Sequence, residues 1–279
     1  SMVKLSTEAA TITSLAPALM AVQDSESRKL LWQQLNQGTQ AIASVLPQIH
    51  LARSAMTDRQ VSLDDQLQGV IKTLNALNQN ILQQLKLKMD KEAESQGLRW
   101  AVSGFLADID PLIDKTQKYI RSRFNEDIPS SGIVIKREGE RTIAQLNTDL
   151  QVLFRLKADT SLLVNLVGRA HHLPDPDSLI ATAIQADELN LSIVQYIDNM
   201  SLVKGFSELR VRVDEVLYFV QRDLNMFELR RQERLQFEAG EQLLTSLEIQ
   251  LASFNDYIST HVTAVREASM QAVAQSNNA

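Results

Sequence analysis

Residues 67–85 read LQGVIKTLNALNQNILQQL, and in them Leu67, Ile71, Leu74, Leu77, Ile81 and Leu85 recur at intervals of three and four. That spacing lines up one face of an α-helix, whereas a half-buried strand would alternate by two. The stripe pauses between Asp90 and Gly97 and resumes with Phe105, Ile109 and Leu112. One long helix is therefore expected from about residue 62 to 124, after a break at Thr57-Asp58.

Working outward, the same period recurs through almost the whole chain. A first helix carries Leu5, Ala9, Ile12, Ala16 and Leu19, and a second, opening at Asp24-Ser25, carries Leu31, Leu35, Ile42, Val45 and Ile49. Beyond the Pro129-Ser130-Ser131-Gly132 loop, a fourth uses Ile143, Leu146, Leu150, Leu153 and Leu166 and ends at His172-Leu173-Pro174-Asp175-Pro176. A fifth starts near Asp177 with Ile180, Ile184, Leu191, Val194 and Ile197. The sixth is expected to run from Ser207 to Ala274 through Leu209, Val213, Val216, Val220, Leu224 and Phe227, then Leu247, Leu251, Phe254, Ile258 and Val262, fading between Arg230 and Gly240. Pro17, Pro47 and Pro111 fall inside these helices, so a kink or break is expected about one turn before each.

Helices two, four and five are each about 30 residues, and three and six about twice that. Short connections make neighbours antiparallel. The expected fold is all-α: two four-helix bundles stacked end to end, elongated, sharing the two long helices. One bundle takes residues 3–95 and 241–277, the other 96–240. Gly97 and Gly240 then fall where each long helix changes neighbours, with Arg231 in the fading stripe beside them. A glycine in a helix interior costs about 1 kcal/mol, so the coincidence asks for a reason other than two tolerated surface glycines.

Composition agrees and excludes much. Apolar residues make up 44% and charged residues 22% of 279, a globular make-up, while 9 glycines and 6 prolines are few for a β-rich fold. A net charge of -6 and a pI near 5.3 argue against nucleic acid. Without cysteine there is no disulfide framework, thiolate metal site or thiol nucleophile. No phosphate loop, His-Glu-x-x-His or nucleophile elbow is present. His171-His172 are adjacent, so on a helix they point apart and do not make a metal site, and His50 and His261 are scattered. No enzyme activity, cofactor or metal is expected in this chain.

No apolar run approaches the roughly 20 residues of a membrane span. Ser1-Met2 looks like a cloning remnant, and Val3 enters a helical pattern at once, as though both ends were cut from helices continuing in a longer parent. The simplest parent is a receptor with a membrane helix on either side, its membrane contact made only by those flanking helices.

The order of helix lengths, with stretches such as Leu98-Arg99-Trp100-Ala101-Val102-Ser103 and Asp214-Glu215-Val216-Leu217, resembles the helical bimodular sensor domains of bacterial transmembrane receptors, shared by some histidine kinases and chemoreceptors. Within that group the chain looks most like the sensors of trimethylamine N-oxide respiration. The resemblance implies a periplasmic domain of an inner-membrane histidine kinase, with the kinase modules elsewhere in the parent. It further implies a homodimer that reads the oxide through a docked periplasmic binding protein.

In the expected fold the tip away from the termini is made by the connections Asn125–Arg137 and Val203–Phe206. Long loops in compact domains are often functional. Arg121, Arg123, Asn125, Glu126, Asp127, Ile128, Ile133, Lys136, Arg137, Lys204 and Phe206 are the candidate partner contacts, a mixture of charged rim and apolar centre. Ile133 and Ile135 could equally fold back as a cap on the core. Docking there is expected to shift the sixth helix against the first. One alternative is a chemoreceptor-type sensor clamping a small carboxylate with Arg222, Arg230 and Arg231, although pairing of these charges with Asp187, Glu188 or Asp108 is the commoner arrangement. Another is a cytosolic helical scaffold.

Overall fold

The computed structural model describes residues 2–51, 57–126, 142–199 and 206–276. Among them are seven helices: α1 (Met2–Met20), α2 (Ser25–Leu51), α3 (Thr57–Glu126), α4 (Ile143–Ala170), α5 (Pro176–Asn199), α6 (Phe206–Gln221) and α7 (Met226–Ser276). The chain forms two compact units, residues 1–87 with 233–279 and residues 88–232. Each division falls inside a long helix, in α3 and in α7.

In the first unit, the predicted stripe of α1 is buried throughout: Leu5, Ala9, Ile12, Ala16 and Leu19 meet Leu35 and Ile42 of α2, Leu67 to Ile81 of α3, and Leu247, Leu251, Phe254 and Ile258 of α7. Four helical segments thus surround one core. Polar contacts fix their register: Arg28 donates to Asn78 within the buried layer, Thr73 donates to Gln250 at 3.1 Å, and the Asn80 amide donates to the Gln236 carbonyl at 2.8 Å. A slip of either helix would leave these buried groups unpaired, at about 1–3 kcal/mol each.

The second unit is built in the same way. Leu98, Phe105, Ile109 and Ile113 of α3 pack with Leu153, Leu156 and Leu163 of α4, Ala186 and Ile193 of α5, Leu209, Val213 and Val216 of α6, and Met226 and Phe227 at the start of α7.

Side-chain caps set the helix starts. Asp24 accepts from the backbone N–H of Glu26 and Ser27 ahead of α2. Thr142 and Gln145 form a reciprocal capping box on α4, and Asp175 caps α5 through Ser178.

Three expectations are corrected. The sixth helix is not continuous: it breaks at residues 222–225, where the Asn225 carbonyl oxygen accepts from Glu228 N–H and its amide donates to the Val220 carbonyl. Asn225 caps a new helix and closes the old one with a single side chain.

The prolines, in contrast, break nothing, for helix runs through Pro17, Pro47 and Pro111. Around Pro111, Ile109 and Ile113 are both buried. At about 1.5–3 kcal/mol each, their burial offsets the roughly 3 kcal/mol of an interior proline.

On α5 the stripe is rotated. Leu179, Ala186, Ile193 and Ile197 face the core, and Ile180, Ile184 and Leu191 are exposed.

Candidate partner-docking site

Of the predicted tip, Asp127, Ile128, Ile133, Lys136, Arg137 and Lys204 lie outside the described residues, as do the side chains of Asn125 and Glu126. Arg121 is exposed near the end of α3. Arg123 folds back along its own helix, its guanidinium donating to the Tyr119 hydroxyl at 3.1 Å and lying 5.5 Å from that ring. Phe206 is a correction: it is 3% exposed and belongs to the core of the second unit, where an aromatic of that area is worth more than on a rim.

The glycines are sites of close approach, not of surface tolerance. A Cβ at Gly97 would lie 2.7 Å from the Phe219 ring, and one at Gly240 would lie 2.7 Å from the Asn80 side-chain oxygen and 2.9 Å from Met20. Each marks a place where a neighbouring side chain rests on helix backbone. Gly97 does so in the second unit and Gly240 in the first.

The arginines around the α6–α7 break are paired, though not with the predicted acids. Arg222 forms an ion pair with Glu94 of α3, lies over the Tyr218 and Phe219 rings at 5.5 and 5.8 Å, and donates to the Leu224 carbonyl. Glu94 is almost wholly buried, and its Oε1 has no hydrogen-bond partner. Burial pushes its carboxyl above the usual range, and Arg222 draws it only partly back.

Arg231 is engaged by Glu228 through two bonds of 2.7 Å, which hold the Glu228 carboxyl below its usual range against the opposing effect of burial. Arg230 donates to the Leu173 carbonyl at 3.0 Å, and Asp108 is taken by Arg212. Each of the three arginines is thus engaged within the chain, which leaves the carboxylate-clamp alternative without support.

Between α3 and α6 an open groove of about 860 Å³ is floored by Ala101, Gly104 and Ala107 and flanked by Trp100, Val211 and Tyr218. Trp100 is the most exposed large apolar side chain among the described residues. Its position off the Leu98–Ala101–Phe105 face was readable in the sequence. The flanks carry both signs, with Arg212 held by Asp108 and Glu215 at 3.0 Å each. His171 and His172 stack edge to face at 4.8 Å, and no cluster of three metal-ligating side chains occurs among the described residues. Nor is any described helix long and apolar enough to cross a membrane.

Two helical units, each with its own core and joined through α3 and α7, make up an all-α fold. The fold is that of TorS sensor domains. The crystal structure of the TorS sensor domain in complex with TorT in the presence of TMAO matches with a TM-score of 0.71 at 12% identity, covering 93% of this chain and 96% of that one. The sensor domain of the V. parahaemolyticus histidine kinase TorS matches at 0.69 and 14%, covering 94% and 97%. No protein-family model matches the sequence, and no curated protein is similar to it.

Proposed function

We propose that the chain is the periplasmic sensor domain of a bacterial transmembrane histidine kinase. It detects trimethylamine N-oxide through a TorT-like periplasmic binding protein and contributes no catalysis of its own; the kinase chemistry lies in other modules of the parent. The observation that carries this reading is the end-to-end likeness to a sensor domain crystallised with TorT, over 93% of this chain.

The internal packing supplies a route for the signal. α1 and α7 share the core of the first unit, Leu5 and Ile12 with Leu247, Leu251 and Phe254. Packed helices of this kind slide by about 1–2 Å in switching proteins. Docking on the second unit, in a homodimer of such domains, would bias α7 against α1, and those two helices would lead to the membrane.

Calorimetry tests the reading. The domain should bind the TorT-like protein of its own organism with an affinity that changes when trimethylamine N-oxide is added, and should give no heat with the oxide alone. Direct binding of the oxide, or no response to the binding protein, would overturn it.

A further inference from the structure

α5 carries an apolar seam that its own fold leaves uncovered. Ile180, Ile184 and Leu191 are 58, 54 and 63% exposed. They are spaced by four and seven residues, which returns to one side of a helix. Ala181, Glu188 and Gln195, all exposed, continue the same face from Asp177 to Asp198. Isoleucine is a poorer helix former than the Ala, Glu or Lys that would serve a solvated surface, so helix formation does not explain its presence there.

The charge on this helix has a single sign. Between Pro176 and Asn199 stand Asp177, Asp187, Glu188 and Asp198, with no lysine or arginine. Asp177 suits a helix N-terminus, but Asp198 sits in the last turn, where a carboxylate opposes the helix dipole. Arg210 reaches Asp198 only at 3.6 Å with both side chains at least half exposed, a pairing that contributes little. The α3–α6 groove, whose charges pair internally, selects no partner in this way.

A second copy of the same face is excluded by charge, since a two-fold contact would set four carboxylates against four. We infer that the exposed face of α5 is a protein-docking surface, and that its partner presents an apolar patch rimmed by lysine and arginine. Naming that partner as the periplasmic binding protein rests on the function proposed above; the location rests on α5 itself.

The test is calorimetric titration of the TorT-like binding protein into the whole chain, with sedimentation run in parallel. Ile184→Asp and Leu191→Asp should each weaken binding at least about tenfold, the loss expected of a central contact. Glu188→Lys should weaken it severalfold and flatten its dependence on salt. Leu162→Asp, the same change at an exposed position of α4, should leave binding as in wild type, and Leu191→Ser replaces Leu191→Asp should the latter melt early. Wild-type affinity in the α5 variants would overturn the assignment to α5 alone, and dissociation of a dimer by these variants with partner binding intact would do the same. Failure of wild type to bind at all would overturn the sensor reading along with it.

Discussion

Replacing Arg222 with alanine removes the partner of Glu94 and leaves that carboxylate buried. The Glu94 side chain is 1% exposed and Arg222 31%, so the acid cannot turn to water while the helices stay packed. Stripping one member from a buried ion pair costs about 3–5 kcal/mol, and the partial exposure on the arginine side favours the lower end.

The cost depends on pH. Glu94 already holds its proton more tightly folded than unfolded. Its stabilising contribution is therefore complete below the ordinary carboxylate range and is lost as pH rises through the raised folded value. Without the guanidinium that value climbs further and the loss spreads upward. Arg222→Ala should cost about 3 kcal/mol at pH 8, lowering the melting midpoint of the second unit by roughly 6–12 °C, and distinctly less at pH 5.

Hydrogen exchange followed by mass spectrometry resolves the effect by segment, with faster exchange expected across residues 206–232. The paired change Glu94→Leu with Arg222→Leu should recover to within about 1 kcal/mol of wild type, because a buried pair and an apolar pair of similar volume are often equivalent. Equal destabilisation at pH 5 and pH 8, or a double variant as unstable as the single one, would refute the account.

Gly240→Ala should destabilise the first unit by about 1–3 kcal/mol in urea unfolding despite its better helix propensity, because the Asn80 oxygen it meets is held in a hydrogen-bond network with Gln84 and Gln236. Gly97→Ala should cost less, the Phe219 ring being half-exposed and able to swing aside, and the same unfolding curves rank the two. Asn225→Ala removes both the cap of α7 and the bond to Val220. A loss of about 1 kcal/mol is expected, with a rise in helical circular dichroism if α6 and α7 then join. Ile184→Asp, by contrast, should leave the melting midpoint within about 2 °C of wild type, since its side chain contributes to no core.

The cores were legible wherever one apolar stripe stood alone. Leu5 to Leu19 and Leu67 to Ile81 have no competing face, so periodicity decides which side is buried. On α5, Leu179, Ala186, Ile193 and Ile197 share one side of the helix, and Ile180, Ile184 and Leu191 share another, about 100–160° around it. A sequence with two such stripes does not say which one meets the core.

The break at residues 222–225 escaped because it contains neither glycine nor proline, and Val220, Leu224 and Phe227 continue the helical spacing across it. The signal that was present is Asn225 followed three residues later by Glu228, a cap pattern worth only about 1 kcal/mol and easily masked by periodicity. The Glu94–Arg222 pair was beyond reach for a different reason. It joins residues far apart in the chain, and periodicity carries no information on which faces oppose one another. The candidate docking residues were chosen by loop length and charge, and of those whose side chains are described only Arg121 is exposed.

The order of segments also dictates when each unit can close. Residues 88–232 are contiguous, so the second unit can complete its core from one unbroken stretch, whereas the first needs Leu247, Leu251, Phe254 and Ile258 to cover α1 to α3. A nascent chain must therefore carry Leu5, Ile12 and Leu74 on an open three-helix sheath until its last fifth has emerged. Truncation between residues 233 and 246 should yield a product that is soluble in its middle and adhesive at its start.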